Sequence, residues 1–300
     1  MRSLSIIITS YNSRDITHKC LLNLQANFNR YPLDYELVVV DNGSSDGSVM
    51  MLKKMASNWN DLHLYLSKKN LGYTKGNNLG FSLSSGKYVL FLNSDVLIED
   101  LNFKDLLAFM DRYPDIGVLT VKLMLNQKQI DPASHRGFPT LWRSFCYLVK
   151  LEQITSQLPL LNRYFGGYHL IDRDLDTIHE IDSPTGAFFL TRREIFTRVN
   201  GFDEDFFMYG EDLDLSYRIK QLGYRIIYYP LFQALHLKGQ SGIYKHQDKA
   251  MEKRTRFYFY DAWRIFYHKH WAGKNFWWFN QIVYFFIKLK TLPYYEKNRS

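Results

Sequence analysis

The sequence predicts an α/β fold: a mostly parallel sheet with helices on both faces, and a helical C-terminal extension. Three observations carry this. Short apolar runs alternate with helix-like segments over the first hundred residues. The runs are continuous and rich in β-branched residues rather than alternating, as expected of strands covered on both faces. Each run also ends abruptly in a polar cluster. Alternation of this kind describes βαβ units around a parallel sheet.

"LSIIIT" (4–9) reads as the first strand and 13–29 as a helix. "YELVVV" (35–40) is the second strand, followed by a helix over 46–57. "LHLYL" (62–66) is short, and 74–84 is helical. "KYVLFLN" (87–93) is the fourth strand. Residues 101–113 read as a helix and "IGVLTV" (116–121) as extended. The stretch 126–181 reads as a long, polar, irregular excursion, helical in part around 142–151; loops of such length are usually functional or mobile. "GAFFLTR" (186–192) returns to a strand. "GEDLDLSYRIKQLG" (210–223) is a helix with a glycine stop, and "YRIIYYP" (224–230) is a strand that breaks at Pro230.

Composition narrows the class. The chain has 300 residues, 46% of them apolar, which suits one large domain with an appendage. Two cysteines, Cys20 and Cys146, make no disulfide framework and point to a reducing compartment. The N-terminal apolar stretch is too short for a signal peptide, and no run reaches the roughly 20 residues a spanning helix needs. A cytoplasmic, non-integral protein is the expectation. The net charge of +8 lies entirely in residues 245–300, which hold 12 Lys/Arg against 4 Asp/Glu; residues 1–244 hold 26 of each. The expected division is therefore a body over 1–244 and a basic, aromatic extension over 245–300.

In an open α/β sheet, ligands bind at the carboxyl ends of the strands. Those ends are Thr9-Ser10-Tyr11-Asn12, then Asp41-Asn42-Gly43-Ser44, then Asn70-Leu71-Gly72 with Asn77, then Asn93-Ser94-Asp95. Each alone is ordinary turn chemistry, with Asp46 as a helix cap. Four along one edge are a candidate site. Downstream, Glu211 and Asp212 fall in the first turn of a helix, where the dipole alone would favour them. Asp214 and Arg218 are an i,i+4 pair, solvated or bracing. His236 follows the Pro230 break, and a lone histidine there has value only beside another metal ligand.

The segments "SIIITSYNS", "ELVVVDNGSSDGS", "NLGYTKGNNLG", "YVLFLNSD", "SPTGAFFLTRREIF", "GFDEDFFMYGEDLDLSYRIKQLG" and the histidine of "ALHLKG" occur in this order. Over roughly residues 3–242 they resemble the family 2 glycosyltransferases of the GT-A fold, a Rossmann-like arrangement, and among these the bacterial rhamnosyltransferase-like branch. The resemblance implies a nucleotide half over about 1–100 and an acceptor half over about 101–244. It implies inverting transfer from a nucleotide diphosphate sugar, dTDP-rhamnose foremost and a UDP-hexose as the alternative, to a glycan or lipid-linked acceptor in surface polysaccharide synthesis. Asp95 then takes the metal position of the DxD motif, with His236 as a further metal or diphosphate ligand. Mg²⁺ or Mn²⁺ suits these ligands and stabilises the departing diphosphate. Asn93 departs from that motif, leaving one formal charge fewer. Asp41 resembles the carboxylate that accepts the imide N–H of uracil or thymine. Thr9, Tyr11, Asn12, Ser44, Asn70, Gly72, Asn77, Asn93 and Ser94 line the donor site, and Gly186 lies beside the donor sugar. Asp212 supplies the base, with Glu211 orienting the acceptor or itself acting. One base and no second carboxylate nucleophile give inversion.

Two other readings compete. A nucleotidyltransferase needs a glycine-rich basic loop after the first strand, which Thr9–Asn12 does not offer. A non-catalytic nucleotide-sugar-binding membrane protein would have no need of Asp95 together with Glu211 and Asp212. Residues 261–295 read as two helices broken near Ala272-Gly273, with Phe276, Phe279, Val283, Phe286 and Ile287 on one face. Aromatics with Lys288 and Lys290 fit peripheral contact with an anionic surface at the inner face of the cell membrane, and the same face could instead meet the body or a second copy in a homodimer. No nucleic-acid-binding module is visible.

Overall fold

The computed structural model describes residues 2–238 and 249–295. The expected boundary at 244 lies outside the described residues. In chain order the elements are β1 (Leu4–Ser10), α1 (Arg14–Arg30), β2 (Tyr35–Asp41), α2 (Ser48–Ala56), β3 (Leu62–Leu66), α3 (Gly72–Ser82), β4 (Tyr88–Leu92), β5 (Val96–Leu97), α4 (Phe103–Arg112) and β6 (Ile116–Met124). Then come α5 (Leu141–Leu148), α6 (Leu151–Ile154), α7 (Pro159–Phe165), β7 (His179–Ile181), β8 (Phe188–Arg192), α8 (Arg193–Arg198), α9 (Glu211–Gln221), β9 (Arg225–His236), α10 (Lys249–His270) and α11 (Trp277–Thr291).

The strands form one mixed sheet in the order β3-β2-β1-β4-β8-β6-β9-β5, with β7 also on β9. The first four strands are parallel, as their continuous apolar runs predict. β8 is antiparallel to both β4 and β6. Alternate side chains of β1 serve two cores: Leu4, Ile6 and Ile8 pack with Leu21, Leu24 and Phe28 of α1, while Ile7 faces Phe91, Phe189 and Phe196. Both faces are therefore buried.

Pro230 does not end the last strand. β9 runs through it to His236, and the pairing jumps from Val121–Tyr229 to Lys122–Gln233. The skipped residues form a bulge that spares the ladder a bond Pro230 could not donate. His236 is thus a strand-end residue, opposite Val96 of β5.

The excursion 126–181 is more ordered than its polarity suggests, since α5, α6 and α7 lie in it. In the C-terminal segment α10 packs on α9, where Phe206, Leu213, Ala262 and Phe266 form a third cluster. A short 3-10 turn at Ala272–Lys274 separates α10 from α11. The apolar stripe expected on α11 is split: Ile287 turns inward, while Phe276 and Phe286 are exposed. Asn280 takes the Tyr267 hydroxyl at 2.6 Å and donates to the Ala272 carbonyl at 2.9 Å, so the polar residue in that stripe pins the hairpin. Among the described residues no helix is long and apolar enough to cross a membrane.

Candidate active site

The parallel register sets the ends of β1 and β2 side by side, Ser10 opposite Asp41. Their loops are tied together: the Asn12 N–H donates to Ser44 Oγ at 2.9 Å, and Asn12 Oδ1 accepts from Ser45 N at 2.8 Å. Asp41 is fully buried. Its Oδ1 accepts from Gly43 N (3.1 Å) and Ser44 N (3.0 Å), whereas Oδ2 is buried with no partner among the described residues. Thr9 Oγ1 is buried in the same condition. A buried carboxylate oxygen without a donor costs stability, and a ligand N–H would relieve it. Tyr11 is half-buried nearby in sequence.

Gly72 has φ +82°, and a Cβ there would lie 2.6 Å from the Phe207 carbonyl oxygen. Only glycine lets this turn close on the 202–207 loop, where Tyr73 N donates to Phe207 O at 2.8 Å and Thr74 Oγ1 to Phe206 O at 2.6 Å. Asn70 accepts from Gly72 N at 2.9 Å, and Asn77 donates to Tyr73 O at 2.9 Å. These two asparagines are thus engaged in shaping the start of α3. Asp46 behaves as turn chemistry, accepting from Arg14 N and Ser48 N.

After β4, Val96 N closes a turn onto Asn93 O at 3.2 Å, and Asn93 N donates to Ala187 O at 3.1 Å. Asn93 is half-buried; Ser94 and Asp95 are buried. His236 Nε2 stands 3.4 Å from Asp95 Oδ1, brought there by the β5–β9 pairing. The other ring nitrogen bonds Asp131 Oδ2 at 2.8 Å, and Lys238 Nζ lies 3.0 Å from Asp131 Oδ1. Burial alone would lower the His236 pKa, but the bond to Asp131 and the adjacent Asp95 push it up to about 9. The β5–β9 pairing thus sets a carboxylate beside that histidine. Among the described residues no group of three or more acidic, His or Cys side chains is placed to hold a metal.

The second half of the site is the first turn of α9, entered through Gly210 at φ +78°. Asp212 Oδ2 accepts from Arg136 Nη2 at 2.7 Å and from Gly186 N at 3.0 Å, and Oδ1 accepts from Leu213 N at 2.7 Å. Glu211 is buried, its Oε2 has no partner among the described residues, and burial followed by the charge of Asp212 pushes its carboxyl up to about 8. Tyr73 joins the halves. Its hydroxyl donates to Gly186 O at 2.9 Å, and burial with the charges of Glu211, Asp212 and Asp95 holds its pKa well above the ordinary value.

The residues after the strands thus gather at one sheet edge with Gly186, Glu211 and Asp212. Three residues of this site escaped the sequence reading. Tyr73 sat inside a quoted motif, and its aromatic ring masked a polar role. Arg136 and Asp131 lie in the excursion after β6, and no spacing ties them to Asp212 or His236, 76 and 105 positions away.

Comparison with known proteins agrees with this architecture. Residues 5–199 match the family model of glycosyl transferase family 2, and residues 162–246 match that of the N-terminal domain of galactosyltransferase. Rhamnosyltransferase WbbL of Escherichia coli (strain K12) is 30% identical over 253 residues, covering 81% of this chain and 84% of its own. The N-acetylglucosaminyl-diphospho-decaprenol L-rhamnosyltransferase of Mycobacterium tuberculosis (strain ATCC 25618 / H37Rv) is 28% identical over 216 residues, 68% of this chain and 67% of its own. Among solved structures, mannosyltransferase PcManGT from Pyrobaculum calidifontis, in complex with GDP-Man and Mn²⁺, superposes with a TM-score of 0.55 at 17% identity, over 88% of this chain and 64% of that one. That likeness shows the GT-A type of α/β fold. Since the family model spans β1 through α8 and the WbbL match extends over four-fifths of the sequence, the chain belongs to glycosyltransferase family 2.

Proposed function

We propose that the chain transfers L-rhamnose from dTDP-rhamnose, with inversion, to a hydroxyl of a glycan or lipid-linked acceptor in surface polysaccharide synthesis. The observation that carries this is the link from Tyr73 through Gly186 to Asp212, together with the Asp95–His236 pair and the unpartnered oxygen of Asp41 at the strand ends. Asp41 Oδ2 suits the imide N–H of thymine or uracil, and Thr9, Tyr11, Asn12 and Ser44 would line that pocket.

A divalent cation fits the donor set. Asp95 offers an oxygen, and His236 Nε2, 3.4 Å away, could offer a nitrogen once it gives up its proton, which would leave the remaining positions to a diphosphate. Mn²⁺ or Mg²⁺ held there would supply Lewis-acid stabilisation of the departing diphosphate. Asn93 in place of an acidic residue leaves Asp95 with one formal charge fewer beside it, so a donor diphosphate would supply more of the negative charge.

The sequence reading puts the proton on Asp212 or lets Glu211 act itself. The geometry favours the second form. Arg136 and two backbone N–H groups engage Asp212, whereas Glu211 has a free oxygen and a carboxyl near 8, close to the operating range of a general base. Asp212 then orients Gly186 and the acceptor edge. We place this work at the inner face of the cell membrane, with Trp277, Trp278, Phe285, Lys288 and Lys290 of α11 facing anionic lipid.

A donor screen tests the proposal. With Mn²⁺ or Mg²⁺ present, dTDP-rhamnose should give a heat of binding and release dTDP when an acceptor is added. Turnover of UDP-hexoses in preference would transfer the reading to that donor, and silence with every nucleotide sugar would end it.

A further inference from the structure

The segment from α5 to α7 has its polarity inverted. Its interior is polar: the buried Glu152 carboxylate pairs with His169, and the buried Asn162 donates to Glu152 O at 3.0 Å and to Thr155 Oγ1 at 3.2 Å. Its exterior is apolar: Trp142, Phe145 and Tyr164 are exposed, Ile154 is 69% exposed and Leu160 89%. Exposed apolar side chains gathered in one segment mark a contact surface. Within 138–171 the exposed charge has one sign, and the exposed Asp172, Asp174 and Asp176 follow that stretch in the chain. Between Phe138 and Ile171 the only carboxylate is Glu152, which is internal, while Lys150 and Arg163 are exposed.

The patch is anchored beside the catalytic helix. Arg143 bonds Asp182 at 2.8 Å, and Asp182 also accepts from Phe138 N at 3.0 Å. Gly137 N donates to Tyr168 O at 2.8 Å, and Arg136, next in the chain, holds Asp212. Whatever covers the apolar face is therefore delivered to the acceptor end of the site.

We propose that α5–α7 is a membrane-docking surface that inserts Leu160, Ile154 and Trp142 among the acyl-chain ends of a bilayer, while Lys150 and Arg163 contact anionic headgroups. Exposed apolar side chains accompanied by Lys150 and Arg163, with no exposed carboxylate between 138 and 171, complement that interface. A second copy of the chain is a poorer occupant, because a two-fold contact would set the same cations against each other. The surface is distinct from α11 and makes docking bipartite. It depends on no assignment of donor, base or metal.

Both native cysteines are buried, so Leu160→Cys can be labelled selectively with a polarity-sensitive dye, unsubstituted protein serving as the labelling control. With full-length protein, the dye should shift to the blue on vesicles of phosphatidylglycerol and phosphatidylethanolamine, and much less on phosphatidylcholine. Ile154→Glu with Leu160→Glu should lower apparent vesicle affinity by at least about tenfold, the loss of two partly inserted aliphatic contacts, with an unchanged melting temperature. Two results would overturn the proposal. One is a dye at position 160 that stays in water while the protein binds vesicles. The other is a lipid-free dimer by light scattering that Leu160→Glu dissociates.

Discussion

Arg136→Met is the most informative single change. The side chain makes two short bonds, to Asp212 Oδ2 and to Pro184 O, both 2.7 Å and both buried. Its loss removes a charge-assisted bond of about 1.5–3 kcal/mol and a carbonyl partner of about 1 kcal/mol. Asp212 keeps the N–H groups of Gly186 and Leu213, so the total falls near the low end of the roughly 3–5 kcal/mol seen when a buried pair loses one member. Urea denaturation of wild type, Arg136→Met, Asp212→Asn and the double variant should give a coupling energy of about 2–3 kcal/mol. A second readout separates chemistry from stability. The Arg136 charge lowers the Glu211 pKa against the upward push of burial and Asp212, so its loss moves Glu211 above about 8. A base must be deprotonated, so the acid limb of the kcat/KM profile moves to higher pH. Arg136→Lys should return the limb towards wild type while recovering only part of the stability, since an ammonium keeps the charge but not the fork. Wild-type stability in Arg136→Met, or additive costs together with an unmoved limb, would refute the assignment.

Other outcomes follow from the same geometry. Asp41→Asn keeps the oxygen that accepts from Gly43 and Ser44 but puts an amide at Oδ2, so calorimetry should show donor affinity falling about tenfold or more with little change in melting temperature. Glu211→Gln should lower kcat by about 10²–10⁴ and abolish the acid limb. Its raised carboxyl also makes the native fold hold a proton that the unfolded chain has released. Wild-type stability should therefore fall as pH rises from the ordinary carboxylate range through about 8, and denaturation of Glu211→Gln should lack that slope. Gly72→Ala must relieve a 2.6 Å approach to Phe207 O at positive φ, and should cost at least about 1–3 kcal/mol by thermal unfolding. Phe285→Glu with Phe286→Glu should reduce flotation with anionic vesicles, and equal flotation would remove α11 from the membrane proposal.

The parallel half of the fold was legible because its information is local. Continuous β-branched runs with helices between them admit few topologies, and the topology puts the four strand ends on one edge. The placement of Asp41, Asp95, Glu211 and Asp212 at that edge could be read this way, since each lies at a strand end or opens a helix. What stayed hidden depends on contacts distant in sequence. Nothing around Arg136 says that it crosses to Asp212, and nothing around Asp131 says that it holds His236. Pro230 reads as a stop because a central strand cannot spare its bond, and only a bulge against β6 makes it tolerable. In α5–α7 the composition looked irregular because burial there runs against hydropathy: Glu152 and Asn162 are inside, Leu160 outside.

The same distinction governs how the C-terminal segment must be probed. Asp214 lies one helical turn below Glu211 and is fully buried. Arg218 reaches it from α9 itself at 2.7 Å, but Lys269 (2.7 Å) and His270 (2.8 Å) reach it from the end of α10. Lys269 also pairs with Asp203, and the Phe207 ring stacks on Tyr258 at 4.5 Å. Deleting residues 261–300 would take two partners from a buried carboxylate and bare Phe206 and Leu213, within a turn of the proposed base. Loss of both lipid binding and turnover on truncation would thus be expected whether or not α11 touches a membrane. Substitutions confined to the outer faces of α11, α6 and α7 leave this clasp intact, so they can separate anchoring from catalysis.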